Sequence, residues 1–361
     1  MFSHFYRRTV TLNRRKVQRG GDTMRFGLFG GARTSVGDQP SDSQQLHDFI
    51  DYVVEAEALG FESVFLVEHH FTGFGQVSAS LNLLSFLAAQ TKRMRLGTAV
   101  MVLPWHNPAL LAEQAATVDV LSGGRLDLGV GRGYRYNEFH GFAMDMDEAE
   151  DRYQECLAFI LKAWTTQGRF SHRGKYWQYD DVVVEPAPLQ RPHPPLWIGA
   201  NSSASIIKTA NDGMNLLIAQ HGTPELVGEK IAIFRDAVEK TGRVFDPFSA
   251  GVTRALHVCT TPEERDRQHD LRILFMQNVQ ALSVPPSGPV AGSHFQGHGD
   301  EADMRRKTET DALIGTPEEI IARLKIYEAA GIRNMLLMDV GGSREALRIF
   351  GREVMPEFRE E

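Results

Sequence analysis

The chain has 361 residues, 42% of them hydrophobic, 24% charged and 9% aromatic. These are the proportions of an ordinary globular protein and exclude a disordered, collagenous or fibrous one. With 39 basic against 46 acidic side chains the net charge is −7, and no basic surplus points to nucleic acid.

No run approaches the ~18–20 unbroken apolar residues of a membrane span, so no membrane association is expected. Cys156 and Cys259 are too few for a disulfide framework, and a reducing, cytoplasmic setting fits best. Residues 1–23 carry Arg7, Arg8, Arg14, Arg15, Lys16 and Arg19 against Asp22 alone, a local balance of +5 that leaves the remainder near −12. They lack the apolar stretch and small-residue cleavage site of a secretory signal. This segment reads as a disordered basic leader, with an Arg-rich transit peptide or nucleic-acid arm as the alternative. The folded chain is expected to start at Met24 and to form one domain over 24–361.

From Met24 onward, short apolar runs alternate with amphipathic stretches. Strands are expected at 25–29, 63–67, 95–102, 125–130, 196–199, 214–219, 250–258 and 334–340. Helical spacing of Leu46, Phe49, Ile50, Val53 and Leu59 ends at Gly60, a C-terminal stop. Further helices are expected over 78–90, after Pro108, over 148–164, between the fifth and sixth strands, after Thr223-Pro224 and Thr261-Pro262, and over 317–330 and 343–353. Residues 169–195 break the rhythm: a strand-like 175–184 and the prolines at 186, 188, 192, 194 and 195 read as an insertion. Residues 283–310, rich in glycine, proline and mixed charge, read as a mobile loop. Eight βα units suit a closed (β/α)₈ TIM barrel of the α/β class. Periodicity alone does not show closure, so a doubly wound open sheet is the alternative.

Chemistry gathers at three expected strand ends. Glu68-His69-His70-Phe71-Thr72 follows the second strand, where a parallel barrel places its catalytic groups. A histidine there exchanges protons near neutral pH, or else the pair is structural. Glu-His-His matches neither His-x-His nor His-Glu-x-x-His, so no metal is expected. Gly129-Val-Gly131-Arg132-Gly133-Tyr134-Arg135 ends the fourth strand, where glycines admit an anion and the arginines add bidentate contacts. Its spacing is not a dinucleotide fingerprint. Gly199-Ala-Asn201-Ser202-Ser203-Ala204-Ser205 opens a helix after the fifth strand; it reads as a phosphate site or as a plain N-cap. Together these ends suggest a phosphorylated cofactor.

Glu68 to Thr72, with Gly97-Thr98-Ala99, Val102-Leu103-Pro104, Asn107-Pro108, Glu113-Gln114, Asp119, Leu121 to Arg125, Gly131-Arg132-Gly133, Gly315 to Glu319 and Val354-Met355-Pro356, resembles the bacterial luciferase family of flavin-dependent monooxygenases, the alkanal monooxygenase α chain among them. The likeness runs from Met24 to the C-terminus. It implies a (β/α)₈ barrel with FMN at its carboxyl-end rim and His69 as the catalytic histidine. It places Ala99-Val100 at a non-prolyl cis peptide under the flavin ring. It assigns cofactor contacts to Gly131, Arg132, Tyr134, Arg135, Asn201, Ser202, Ser203, Ala204 and Ser205. His70, Phe71, Glu138 and Gln220 fall near the substrate. Gly131 replaces the family's reactive cysteine, Asn201 a glutamate and Gln220 a tryptophan, so the substrate pocket differs and light emission is not expected.

The implied activity uses reduced FMN and O2 to oxidise a small organic substrate, an aldehyde or ketone, through a flavin peroxide. Without a nicotinamide fingerprint, the reduced flavin is expected from a separate flavin reductase. A deazaflavin- or NAD(P)H-linked oxidoreductase on the same barrel and a non-catalytic flavin-binding protein are the alternatives. The 78–90 helix is apolar around much of its circumference, which points to a homodimer.

Overall fold

The computed structural model describes residues 23–32, 42–73, 77–285, 288, 298–339 and 342–359. Eight parallel strands form the central sheet: β1 (Arg25–Gly30), β2 (Ser63–Leu66), β3 (Arg95–Thr98), β4 (Leu126–Gly131), β5 (Leu196–Gly199), β6 (Asn215–Ile218), β7 (Ala250–Val258) and β8 (Asn334–Asp339). Each pairs with the next, and β8 pairs with both β7 and β1, so the barrel closes. The register brings Phe26 opposite Met335 and Leu28 opposite Leu337. The open-sheet alternative is thereby set aside.

Alternation along the strands divides two apolar layers. Phe65, Trp197, Leu217 and Leu336 meet inside the barrel, with the Phe65 and Trp197 rings edge-on at 5.2 Å. Their neighbours Val64, Leu66, Leu216, Met335 and Leu337 pack with the helices in the main core. Gly97 makes room for the inner layer: a Cβ there would stand 2.3 Å from the Phe65 ring.

Eleven α-helices lie among the described residues: α1 (Asp42–Leu59), α2 (Ser80–Gln90), α3 (Pro108–Leu121), α4 (Tyr136–Gly141), α5 (Ala149–Thr165), α6 (Ser203–Asn211), α7 (Pro224–Lys240), α8 (Pro262–Ser283), α9 (Glu301–Asp311), α10 (Pro317–Ala329) and α11 (Arg344–Ile349). The Thr-Pro signals work as read. Thr223, Thr261 and Thr316 cap α7, α8 and α10, and Thr316 with Glu319 forms a reciprocal capping box. None of the described helices is long and apolar enough to cross a membrane.

Four expectations need correction. The third strand stops at Thr98; the Ala99–Val100 peptide is cis, and Met101–Val102 resumes as a separate short strand beside β4. Within the insertion the strand is Gln178–Val182, folded antiparallel onto Phe170–Arg173. Leu313–Gly315, not anticipated, pairs with the end of β7 outside the barrel circuit. Residues 301–310 are not loop: Asp300 caps α9 by accepting from Asp303 N at 2.9 Å, and no glycine or proline interrupts the helix. The leader through residue 22, and residues 286–287 and 289–297 of the expected loop, lie outside the described residues.

Candidate active site

The carboxyl ends of the strands open onto a cavity of about 760 Å³, within the ~300–1,000 Å³ typical of ligand pockets. Phe29, Val67, Ala99, Val100, Leu217 and Met338 give it an apolar floor. Charged and polar groups from β2, β4, α5, α6 and α8 ring that floor.

His69 leaves the end of β2 and lines the cavity. Its Nδ1 lies 2.9 Å from Oε1 of Glu138, a fully buried side chain on α4. A carboxylate only accepts, so the proton sits on Nδ1 and the lone pair is left at Nε2. The same Glu138 oxygen accepts from the His70 backbone N at 3.0 Å, locking the strand end to α4. Burial, then the positive charge of Arg135, lower the His69 pKa against the opposing pull of Glu138. The ring is therefore neutral near pH 7 and fit to take a proton.

His70 points the other way. Its Nε2 lies 3.0 Å from Glu68, and its ring packs edge-on against Phe142 at 4.9 Å. It does not line the cavity. Phe71, at φ 55°, turns outward and is 57% exposed against Phe142. His70 and Phe71, expected near the substrate, thus stand off the cavity: one histidine faces inward and the other packs into an aromatic cluster. Glu138 borders the cavity but is engaged with His69, a positioning role that the sequence reading placed instead on the substrate. Gln220 lines the cavity and donates to Met338 Sδ at 3.5 Å.

Glu68 anchors the layer behind. It accepts from Val102 N at 2.7 Å and holds His106 Nε2 at 2.7 Å. Burial raises its pKa, but the bonds to His106, His70 and Val102 outweigh that and hold it at about 2.

On the β4 side, Gly131, Arg132, Tyr134 and Arg135 all line the cavity. A Cβ on Gly131 would stand 2.5 Å from Val100 Cγ2, so this approach of β4 to the Ala99–Val100 turn requires glycine. Arg132 pairs with Glu150 of α5 at 3.2 Å. On the β5 side, Asn201 and Ser205 line the cavity, whereas Ser202, Ser203 and Ala204 do not. Ser202 is the N-cap of α6, accepting from Ser205 N at 3.2 Å. Its hydroxyl is spent on the helix, which is why it stands off the cavity.

The sequence reading missed Tyr153 and Gln154 of α5, Lys208 of α6, His221, Arg272 of α8, His298 and Lys307 of α9, all of which line the cavity. His221 adjoins Gln220 at the end of β6 and was within reach of the strand-end rule. Of the others, His298 lies in the segment just before α9 and the rest sit on helices, where nothing local marks an inward turn.

Residues 24–334 match the model of the luciferase-like monooxygenase family. The oxygenase component of a flavin-dependent trigonelline monooxygenase from Acinetobacter baylyi is 29% identical, across 93% of this chain and 96% of that protein. An F420-dependent glucose-6-phosphate dehydrogenase from Microbacterium testaceum is 27% identical, across 87% and 94%. Among solved structures, monooxygenase RslO1 from Streptomyces bottropensis superposes with a TM-score of 0.79 at 23% identity, covering 93% of this chain and all of that one. A closed barrel, a strand-end histidine over an apolar floor and a family match across most of the length agree, and the chain belongs to the luciferase-like monooxygenases.

Proposed function

We propose that the protein is an FMN-dependent monooxygenase acting on a small organic substrate, with reduced flavin supplied by a separate reductase. The observation that carries this reading is the His69–Glu138 pair set at the rim of an apolar-floored cavity with a cationic edge. When bound, reduced FMN supplies the electrons that activate dioxygen, one oxygen atom entering the substrate and the other leaving as water. The residues present suit that cofactor. A Cβ on Gly199 would meet nothing within 4 Å, so the β5 end offers an open cradle beside Asn201, Ser205, Lys208 and Arg132 for a phosphate. The Ala99–Val100 turn and Val67 form a surface for the ring. His69 takes and returns a proton at Nε2 while Glu138 holds the imidazole in one tautomer. The apolar floor excludes water from the reacting atoms.

Charge-assisted bonds to phosphate contribute ~1.5–3 kcal/mol each. Arg132→Ala is therefore expected to weaken FMN about tenfold or more and to leave riboflavin nearly unchanged. Fluorescence titration of both flavins checks this, and equal losses would overturn the phosphate assignment. The F420-dependent relative supports a second reading, with a deazaflavin in the same cavity. Titrating FMN and F420 side by side, together with the mass of the co-purified flavin, separates the two.

A homodimer is part of the proposal. Phe86 on α2 and Leu110, Val120 and Leu121 on α3 are 48%, 56%, 44% and 63% exposed. Adjacent helices on a barrel's outside rarely present four such side chains to water without a partner. Light scattering at micromolar concentration is expected to give twice the chain mass, and Leu110→Glu with Phe86→Glu to give the monomer. A monomeric parent protein would refute the dimer.

A further inference from the structure

Four carboxylates border the cavity, and each is engaged. Glu68 holds His106 and His70, Glu138 holds His69, Glu150 pairs with Arg132 at 3.2 Å, and Asp212 with Lys208 at 2.5 Å. The wall made by α8, α9 and the end of β6 has a different character. It brings Arg272, Lys307, His221 and His298 to the cavity, with Arg135 alongside. Arg135, Arg272 and His298 are only 2%, 3% and 7% exposed. The two imidazoles meet at 5.1 Å between ring centroids, and Lys307 Nζ donates to His298 O at 2.7 Å, which fixes the ammonium beside them. Asp311 stands behind this wall, 4.0 Å from His221 Nδ1, accepts from Gly222 N, and does not line the cavity.

Burial first, then the charge of Arg272 and its neighbours, push His221 down to about 3 and His298 to about 4. Both rings are neutral at pH 7 and serve as hydrogen-bonding groups, leaving Arg135, Arg272 and Lys307 as the cations. Charges grouped in a poorly solvated cavity attract an anion far more strongly than they would in water. A guanidinium also matches the planar fork of a carboxylate. His69 lines the same cavity, and the Arg135 charge acts on both His69 and His298, so an anion bound on this wall shares the cavity with the candidate catalytic imidazole.

We propose that this wall binds the carboxylate of a small organic-acid substrate, with Arg272 and Lys307 as the residues that select it. The proposal rests on the monooxygenase reading above and narrows its substrate class. That reading assigns the flavin phosphate to a separate set of lining residues, Arg132, Asn201, Ser205 and Lys208.

The test is calorimetric titration at pH 7.5 with benzoate, phenylacetate, nicotinate and hexanoate, each beside its neutral primary amide. Titrations are run on protein with and without FMN. At least one carboxylate is expected to bind about tenfold or more tighter than its amide. Arg272→Met and Lys307→Met are each expected to cut that preference about tenfold and to leave FMN affinity within about twofold. Lys307 is half-buried on the surface helix α9, so its variant reports even if the buried Arg272 variant fails to fold. The proposal is overturned if no carboxylate outranks its amide, or if the preference survives both substitutions. It is also overturned if FMN affinity falls along with it, since the wall would then hold the cofactor's phosphate. Wild-type protein that takes carboxylates but no FMN would sink the monooxygenase reading and leave the anion wall standing.

Discussion

His69→Ala is expected to lower turnover about 10²- to 10⁴-fold, the range of a positioned proton donor or acceptor, with FMN affinity within about twofold and an unchanged melting temperature. The imidazole is partly exposed on the cavity side and makes its one strong side-chain bond to Glu138, so its loss costs chemistry more than packing. The mechanism needs the neutral ring, so turnover should fail as pH drops through the His69 pKa. Burial and Arg135 hold that pKa below the ordinary value, and Glu138 alone among its closest partners pulls it up through a hydrogen bond. Glu138→Gln should therefore move the acid limb of the pH–rate profile lower, and Arg135→Met should move it higher. A purely structural histidine would leave the limb in place in both variants. A stable His69→Ala protein with wild-type turnover would remove His69 from the mechanism.

The barrel was legible because its signals are local. Eight apolar runs alternate with capped amphipathic stretches, and Thr-Pro marks three helix starts with side-chain and ring constraints that operate within four residues. The misreadings arose where distant pairing or weak amphipathicity decides. Leu313–Gly315 is strand only because the end of β7 supplies partners for it. α9 carries a single buried large apolar side chain, Met304, so hydrophobic periodicity barely registers there, although the Asp300 cap was readable. The break after Thr98 lies in a chemically unremarkable Ala-Val pair, and the resemblance to a known family, rather than any local pattern, pointed to its cis peptide.

At the site, strand-end position pointed to residues that line the cavity, whereas side-chain direction was not legible. His69, Arg132, Arg135 and Gln220 all reach the cavity. Ser202 was read for its hydroxyl, but that oxygen caps α6, the commonest use of a serine in that place. Glu138 could be assigned a neighbourhood but no role until α4 was seen folding back on β2. The cations of α8 and α9 were invisible for a plainer reason. Arg272 and Lys307 sit in helices with charged residues on several sides, and only the closing of α8 over the barrel mouth decides which of them turn inward.

Acid is expected to unfold this protein partly by protonating Glu68. The carboxylate is 2% exposed and is surrounded by Val102 N at 2.7 Å, His106 Nε2 at 2.7 Å and His70 Nε2 at 3.0 Å. Burial alone would raise its pKa; those bonds overcome burial and hold it at about 2 against an ordinary 4.5. A lowered folded-state pKa means that the unfolded chain takes up the proton first as pH falls. The stabilisation is thus fully present above about pH 4.5 and is lost progressively down to about pH 2. A difference of this size corresponds to about 3 kcal/mol, a large fraction of a typical domain's stability. Glu68→Gln should be less stable than the parent at pH 6 by roughly that amount, and the gap should shrink to less than about half by pH 3 and close only towards pH 2. Urea unfolding midpoints at pH 6, 4 and 3 measure both arms of this expectation. Because Val102 lies two residues beyond Val100, in the short strand that follows the Ala99–Val100 turn, the variant should also bind FMN more weakly at pH 6, through a loosened floor rather than a lost contact. Parallel stability curves for the two proteins across that range would show that Glu68 is not the acid-sensitive group.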